Sequence, residues 1–101
     1  MATTSKALFR GAATTNTATV LYTVPSATTT VVTSIVVTNT SAFAGTFTLA
    51  LAGTNLATAV AVASNDSTVI DLKQTLVATN TIAGGASATS INFHISGVEI
   101  A

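Results

Sequence analysis

Gly45-Thr46-Phe47-Thr48-Leu49-Ala50-Leu51 decides the fold class. Phe47, Leu49 and Leu51 alternate with Thr46, Thr48 and Ala50, so an extended chain turns its bulky side chains to one face and its small ones to the other. Gly53-Thr54-Asn55 then reads as a turn. Beyond it Leu56, Thr58, Val60 and Val62 alternate with Ala57, Ala59 and Ala61, which completes a hairpin. Ser64-Asn65-Asp66-Ser67 is a second turn, because these side chains bond readily to nearby backbone amides. In the strand after it, Ile70, Leu72 and Leu76 fall on one face and Asp71, Lys73 and Thr75 on the other.

The same period of two extends toward the N-terminus. Val20-Leu21-Tyr22-Thr23-Val24 is stopped by Pro25, which cannot donate to a ladder. Residues 29–39 are apolar on both sides: Val31, Ile35 and Val37 share one face, Val32 and Val36 the other. A strand of that kind is expected to be covered twice, once by the core and once by a loop, the N-terminal segment or another subunit. Val32 and Val36 are therefore the self-association candidates.

Toward the C-terminus, Ile91, Phe93 and Ile95 share a face, whereas Val98 and Ile100 have the opposite parity. Either a one-residue bulge at Gly97 restores the face, or the strand stops at Ser96 and the last residues form a separate contact. Ala83-Gly84-Gly85-Ala86-Ser87 reads as a loop. Residues 1–17 are small, hydroxylated and weakly periodic apart from Leu8 and Phe9, and read as an N-terminal arm. The competing reading makes them the first strand, with Leu8 in the core. The expected organisation is a 1–17 arm and a single 18–101 domain: an all-β sandwich or jelly-roll-like fold of seven or eight short antiparallel strands. Phe47, Leu49, Leu51, Ile70, Leu72, Ile91, Phe93 and Ile95 form the expected core.

Composition narrows the function. Only 6% of the 101 residues are charged and the formal net charge is zero, against roughly 25% charged residues in a typical soluble domain. Little self-repulsion keeps such surfaces apart, which favours association. Lys6, Arg10 and Lys73 are too few to neutralise a run of phosphates, so no nucleic-acid partner is expected. No signal peptide follows Lys6 and Arg10, and the apolar stretch 49–63 is broken and too short to span a bilayer as a helix, so no membrane partner is expected either. Without cysteine there is neither a disulfide nor a thiolate metal site.

No constellation carries chemistry. His94 is the single histidine, lies between Asn92 and Ser96 on a polar strand face, and has only Asp66, Asp71 and Glu99 as carboxylates to work with. No Gly-x-Ser-x-Gly elbow surrounds a hydroxyl, and Gly84-Gly85 lacks the spacing of a nucleotide loop. Thr-x-Thr triplets recur at no fixed interval, which argues against an ice-binding solenoid. Neither catalysis nor a cofactor or metal is expected.

In Leu21-Tyr22-Thr23-Val24-Pro25, in the Thr/Val-rich run from Thr29 to Thr40, and in Ile95-Ser96-Gly97-Val98-Glu99-Ile100, the chain resembles small virion proteins of tailed bacteriophages. The resemblance spans roughly residues 20–100 and rests on strand and turn patterns, not on a chemical signature. It implies a structural protein made in the host cytoplasm and located on the capsid exterior. There it would act as a decoration or cement subunit, a homo-oligomer and specifically a trimer, that binds the major capsid protein. A tail, baseplate or fibre component with a host-surface binding role is the alternative. Lys6, Leu8, Phe9 and Arg10 in the arm are the capsid-docking candidates.

Overall fold

The computed structural model describes residues 3–101, and they form eight β-strands and no helix. The strands are β1 (Thr3–Ala12), β2 (Val20–Thr23), β3 (Thr29–Asn39), β4 (Gly45–Leu51), β5 (Thr54–Val62), β6 (Ser67–Leu76), β7 (Thr81–Ala86) and β8 (Ile91–Ile100). One sheet has the order β1-β8-β3-β6 and the other β2-β7-β4-β5. Every pairing is antiparallel. The pairs β1–β8, β2–β7, β3–β6 and β4–β5 are nested, as in one long hairpin folded back on itself. Rolling that hairpin brings β3 beside β8 and β4 beside β7, which is the jelly roll.

The tip of the hairpin is the two-residue connection Ala52-Gly53, where both residues have positive φ, 52° and 80°. This backbone twists in the sense of the flanking strands, and Gly53 adopts it without a Cβ penalty. The turn thus lies one residue earlier than the Gly53-Thr54-Asn55 expected from sequence.

Between the sheets lies one core. Phe47, Leu49, Leu51, Ile91, Phe93 and Ile95 are buried in it, and Ile70 and Leu72 pack against its margin. Phe47 on β4 and Phe93 on β8 meet edge to face across the layers, with ring centroids 6.2 Å apart and planes at 73°. No buried side-chain nitrogen or oxygen lacks a hydrogen-bond partner among the described residues.

Several expectations are corrected. Residues 3–12 are not an arm but the first strand, paired with β8 from Thr3↔Ile100 to Ala12↔Asn92; Met1 and Ala2 lie outside the described residues. Leu8 is only 7% exposed and Phe9 is half-buried against the core. The extra residue on β1 between Ala7 and Phe9 is Leu8, so Leu8 and Phe9 both face inward in succession, which breaks the alternation that marks a strand in sequence.

Val32 is fully buried in the core, not on an outer face. β3 gains one residue relative to β8 between Val32 and Ser34, so Thr30 and Val32 point inward on one side of the irregularity and Ile35, Val37 and Asn39 on the other. β8 itself runs without a bulge to Ile100. Gly97 keeps the inward parity of Phe93 and Ile95, and the backbone carbonyl of Val31 with Leu8 Cδ1 fills the space a Cβ would need. Val98 and Ile100 consequently lie on the outer face and Glu99 on the inner one.

Gly84 and Gly85 are strand residues of β7 instead of a loop. A Cβ at Gly84 would lie 2.5 Å from the Thr48 carbonyl oxygen, and one at Gly85 2.5 Å from that of Asn16. β5 is bulged twice against β4, with Ala59 at φ 48°, so its simple alternation fails and only Ala57 and Val62 are buried.

Phe93→Ala is expected to lose about 3–5 kcal/mol of stability, as buried aromatic truncations do, in a denaturant melt. Deleting residues 3–12 is expected to unfold the domain, read as loss of the cooperative transition, because it strips β8 of a neighbour and exposes Leu8's site.

Candidate interaction surface

The two ends of the sandwich differ in chemistry. At the end holding Thr3 and Ile100, four side chains from four strands form a polar lock. Tyr22 on β2 donates its hydroxyl to Glu99 Oε2 on β8 and lies 2.9 Å from Thr30 Oγ1 on β3. Lys6 on β1 approaches both Glu99 oxygens at 3.4 Å. Tyr22 belongs to the second sheet and the others to the first, so the lock closes this end across both layers. Glu99 is inward because β8 alternates without interruption, and it tolerates that position because two donors, the Tyr22 hydroxyl and the Lys6 ammonium, face its carboxylate.

The titration of the lock follows from this geometry. The bond from Tyr22 holds Glu99 below its ordinary value of 4.5; desolvation opposes that shift, and Lys6 assists it. Burial raises the Tyr22 phenol above 10.0, helped by its bond to the Glu99 carboxylate and opposed by Thr30.

At the opposite end the chain presents an apolar side chain on a braced turn. Phe43, between β3 and β4, is 80% exposed, the highest of the described large apolar residues. Asn39, which is buried, donates Nδ2–H to the Phe43 carbonyl at 2.8 Å and accepts the Ser41 amide on Oδ1 at 3.0 Å. The Phe43 amide donates to Ser41 Oγ at 3.0 Å. Two neighbouring turns hold the same segment: the Asn65 amide donates to the Ser41 carbonyl, and the Thr40 amide to that of Ser90. A polar groove lined by Thr38, Asn39, Thr40, Asn65, Asp66 and Ser67 lies between the first two turns.

The residues singled out from sequence do not converge on one surface. Lys6 is committed to Glu99, Leu8 and Phe9 to the core, and Val32 to the core. Arg10 is exposed and lies in register with His94, Val36 and Val69 in one row across the outer face of the first sheet. Val36 is half-buried there and Val69 is 64% exposed. His94 belongs to no group of three or more metal-ligating side chains among the described residues. No helix there is long and apolar enough to cross a membrane. The lock was invisible in sequence, since Tyr22 and Glu99 stand 77 positions apart. The signal for Phe43 was its place in a Ser/Ala turn outside any alternating run.

Neither the protein-family models nor the curated proteins include a match to this chain.

Glu99 binds its proton less tightly in the folded state, so its contribution to stability is complete above 4.5 and is lost as pH falls through its lowered folded value. Tyr22 acts at the other limit: its contribution is complete below 10.0 and is lost as pH rises through its raised value. Glu99→Gln is therefore expected to flatten the acid limb of the melting temperature against pH. Tyr22→Phe should change both limbs.

Proposed function

We propose that this chain is a structural virion protein, a capsid decoration subunit that stabilises the shell by contact and not by reaction. The single observation that carries the reading is Phe43: an exposed aromatic ring on a turn fixed by Asn39, Ser41 and two adjacent turns. Such a ring gives up little conformational freedom on docking and fills a partner pocket as an anchor. The resemblance of residues 20–100 to small phage virion proteins supplies the partner, the major capsid protein. The docking role passes from Lys6, Leu8, Phe9 and Arg10, three of which the fold employs internally, to the Phe43 turn.

The mechanism is linkage. A subunit that binds the assembled shell and not its separated components shifts the equilibrium toward assembly by mass action. A surface with few charges suits this role, because little desolvation of ions opposes contact.

The groove of Thr38, Thr40, Asn65, Asp66 and Ser67 favours a second reading, a tail or fibre component that binds a host glycan. Hydroxyl, carboxamide and carboxylate groups on the turns that brace an exposed aromatic ring are groups a sugar uses.

Phe43→Ala is expected to change stability by less than about 0.5 kcal/mol, as exposed substitutions do. It is expected to weaken binding to undecorated shells by about thirtyfold or more, the scale of an aromatic anchor. Cosedimentation with shells measures this. Normal cosedimentation of the variant overturns the docking role of Phe43. Binding to host-surface glycan, with none to shells, moves the assignment to the second reading.

A further inference from the structure

We propose that β6 is a self-pairing edge: two copies of the chain join antiparallel along Ser67–Leu76 about a two-fold axis at Leu72, making one continuous eight-stranded sheet. This stands apart from the virion reading and replaces the trimer that the resemblance implies with a two-fold contact.

Four strands lie at sheet edges: β1, β6, β2 and β5. Unpaired edges invite another strand unless something blocks them. β2 is only four residues long. β5 is interrupted by two register shifts and by Ala59 in a left-handed conformation, whose amide is taken by Thr48 Oγ1 at 3.0 Å. β1 is bulged at Leu8 and carries two charges of one sign, Lys6 and Arg10. β6 is longer than β2, has no left-handed residue and carries charges of both signs, although it too has an extra residue against β3, at Leu72-Lys73. Its ten residues alternate without interruption, with Ile70, Leu72 and Leu76 inward and Val69, Asp71, Lys73 and Thr75 outward. The β3–β6 register steps from Val32↔Gln74 to Ser34↔Asp71, which sets Leu72 and Lys73 of β6 against the single residue Thr33 of β3. Among the described residues, no loop backbone hydrogen-bonds to Val69–Thr75.

The charges fix the register. A two-fold axis normal to the sheet keeps outer faces together, so outward residues of one copy must meet outward residues of the other. With the axis at Leu72, Asp71 of each copy faces Lys73 of the other, twice, while Val69 faces Thr75 and Ile70 faces Gln74. Moving the axis to Asp71 or to Lys73 instead sets like charges opposite each other, which cross-strand pairing disfavours. Asp71 and Lys73, which on a lone edge deter pairing, become complementary in this one arrangement. Leu72, half-buried in the single chain, meets its own copy at the centre.

Sedimentation equilibrium on the purified chain tests this. The wild type is expected to dimerise in the submillimolar range. Asp71→Lys and Lys73→Asp are each expected to weaken dimerisation on the order of tenfold, since both pairs become repulsive. An equimolar mixture of these two variants should form a heterodimer, and the double variant D71K/K73D should regain the wild-type dimer. Both positions are exposed, and circular dichroism melting verifies that each variant is folded; if one single variant is not, the double variant carries the comparison. A wild type that remains monomeric at millimolar concentration overturns the proposal. So does a dimer indifferent to the reversals and to their recombination.

Discussion

The inner face of the first sheet keeps its apolar side chains only because strands beside the regular β8 carry an extra residue near one level: β1 at Leu8, β3 at Thr33, and β6 in turn against β3. β8 alternates without a break, so its inward set, Ile91, Phe93, Ile95, Gly97 and Glu99, is fixed by the pleat alone. Its neighbours do not share that regularity. β1 places Leu8 and Phe9 inward in succession, and β3 shifts parity around Thr33. Without the shift in β3, either Val32 or the pair Ile35 and Val37 would face solvent. The shift also brings Thr30 inward opposite Glu99, where the Tyr22 hydroxyl reaches both. Core, polar lock and the burial of Gly97 thus follow from one level of irregularity across the sheet.

That irregularity also marks the limit of what the sequence discloses. Regular stretches were legible: the alternation of Phe47, Leu49 and Leu51, that of Ile70, Leu72 and Leu76, and that of Ile91, Phe93 and Ile95 each fix a face and together fix an all-β sandwich. Strands with an inserted residue were not. In β1 the insertion hides the period behind adjacent Leu8 and Phe9, so the segment resembles an arm. In β3 it makes a one-sided strand look two-sided, and an unbroken period of two places Val32 on the wrong face for that reason. Glycine misled in the opposite sense at Gly84 and Gly85, where absent Cβ atoms serve close approach of β4 and the Asn16 loop instead of a turn. The contacts across sequence distance, Tyr22 with Glu99 and Asn39 with Val62, carry no local signal at all.

With so few charges, the position of each has a consequence that it would lack on an ordinary surface. Lys6 and Glu99 are spent on closing one end, where partial burial and a third partner make the pair more than a screened surface contact. Asp71 and Lys73 stand on an open edge. Elsewhere threonine hydroxyls carry the surface: they solvate it without net charge, and their β-branched stems suit strands. Repulsion therefore does little to keep two such domains apart, and edge geometry takes over. A bulge with two like charges guards β1, two bulges and a left-handed residue guard β5, and shortness guards β2.

The positions of the Phe43 turn and the β6 edge set the shape of what such a protein could hold together. β6 runs from the Phe43 end, where Ser67 pairs with Thr38, to the end where Leu76 pairs with Thr30. A two-fold axis at its middle reverses the second copy end for end. The two Phe43 rings then point in opposite directions, separated by a distance on the scale of the domain's 45 Å length. Two anchors in that arrangement cannot seat side by side on one flat partner, so the dimer gains no avidity there. They can instead join two partners that face each other across a gap. Pairing along β6 thus favours cross-linking over clamping, and a shell stabilised by this chain would be stabilised between its subunits and not within them.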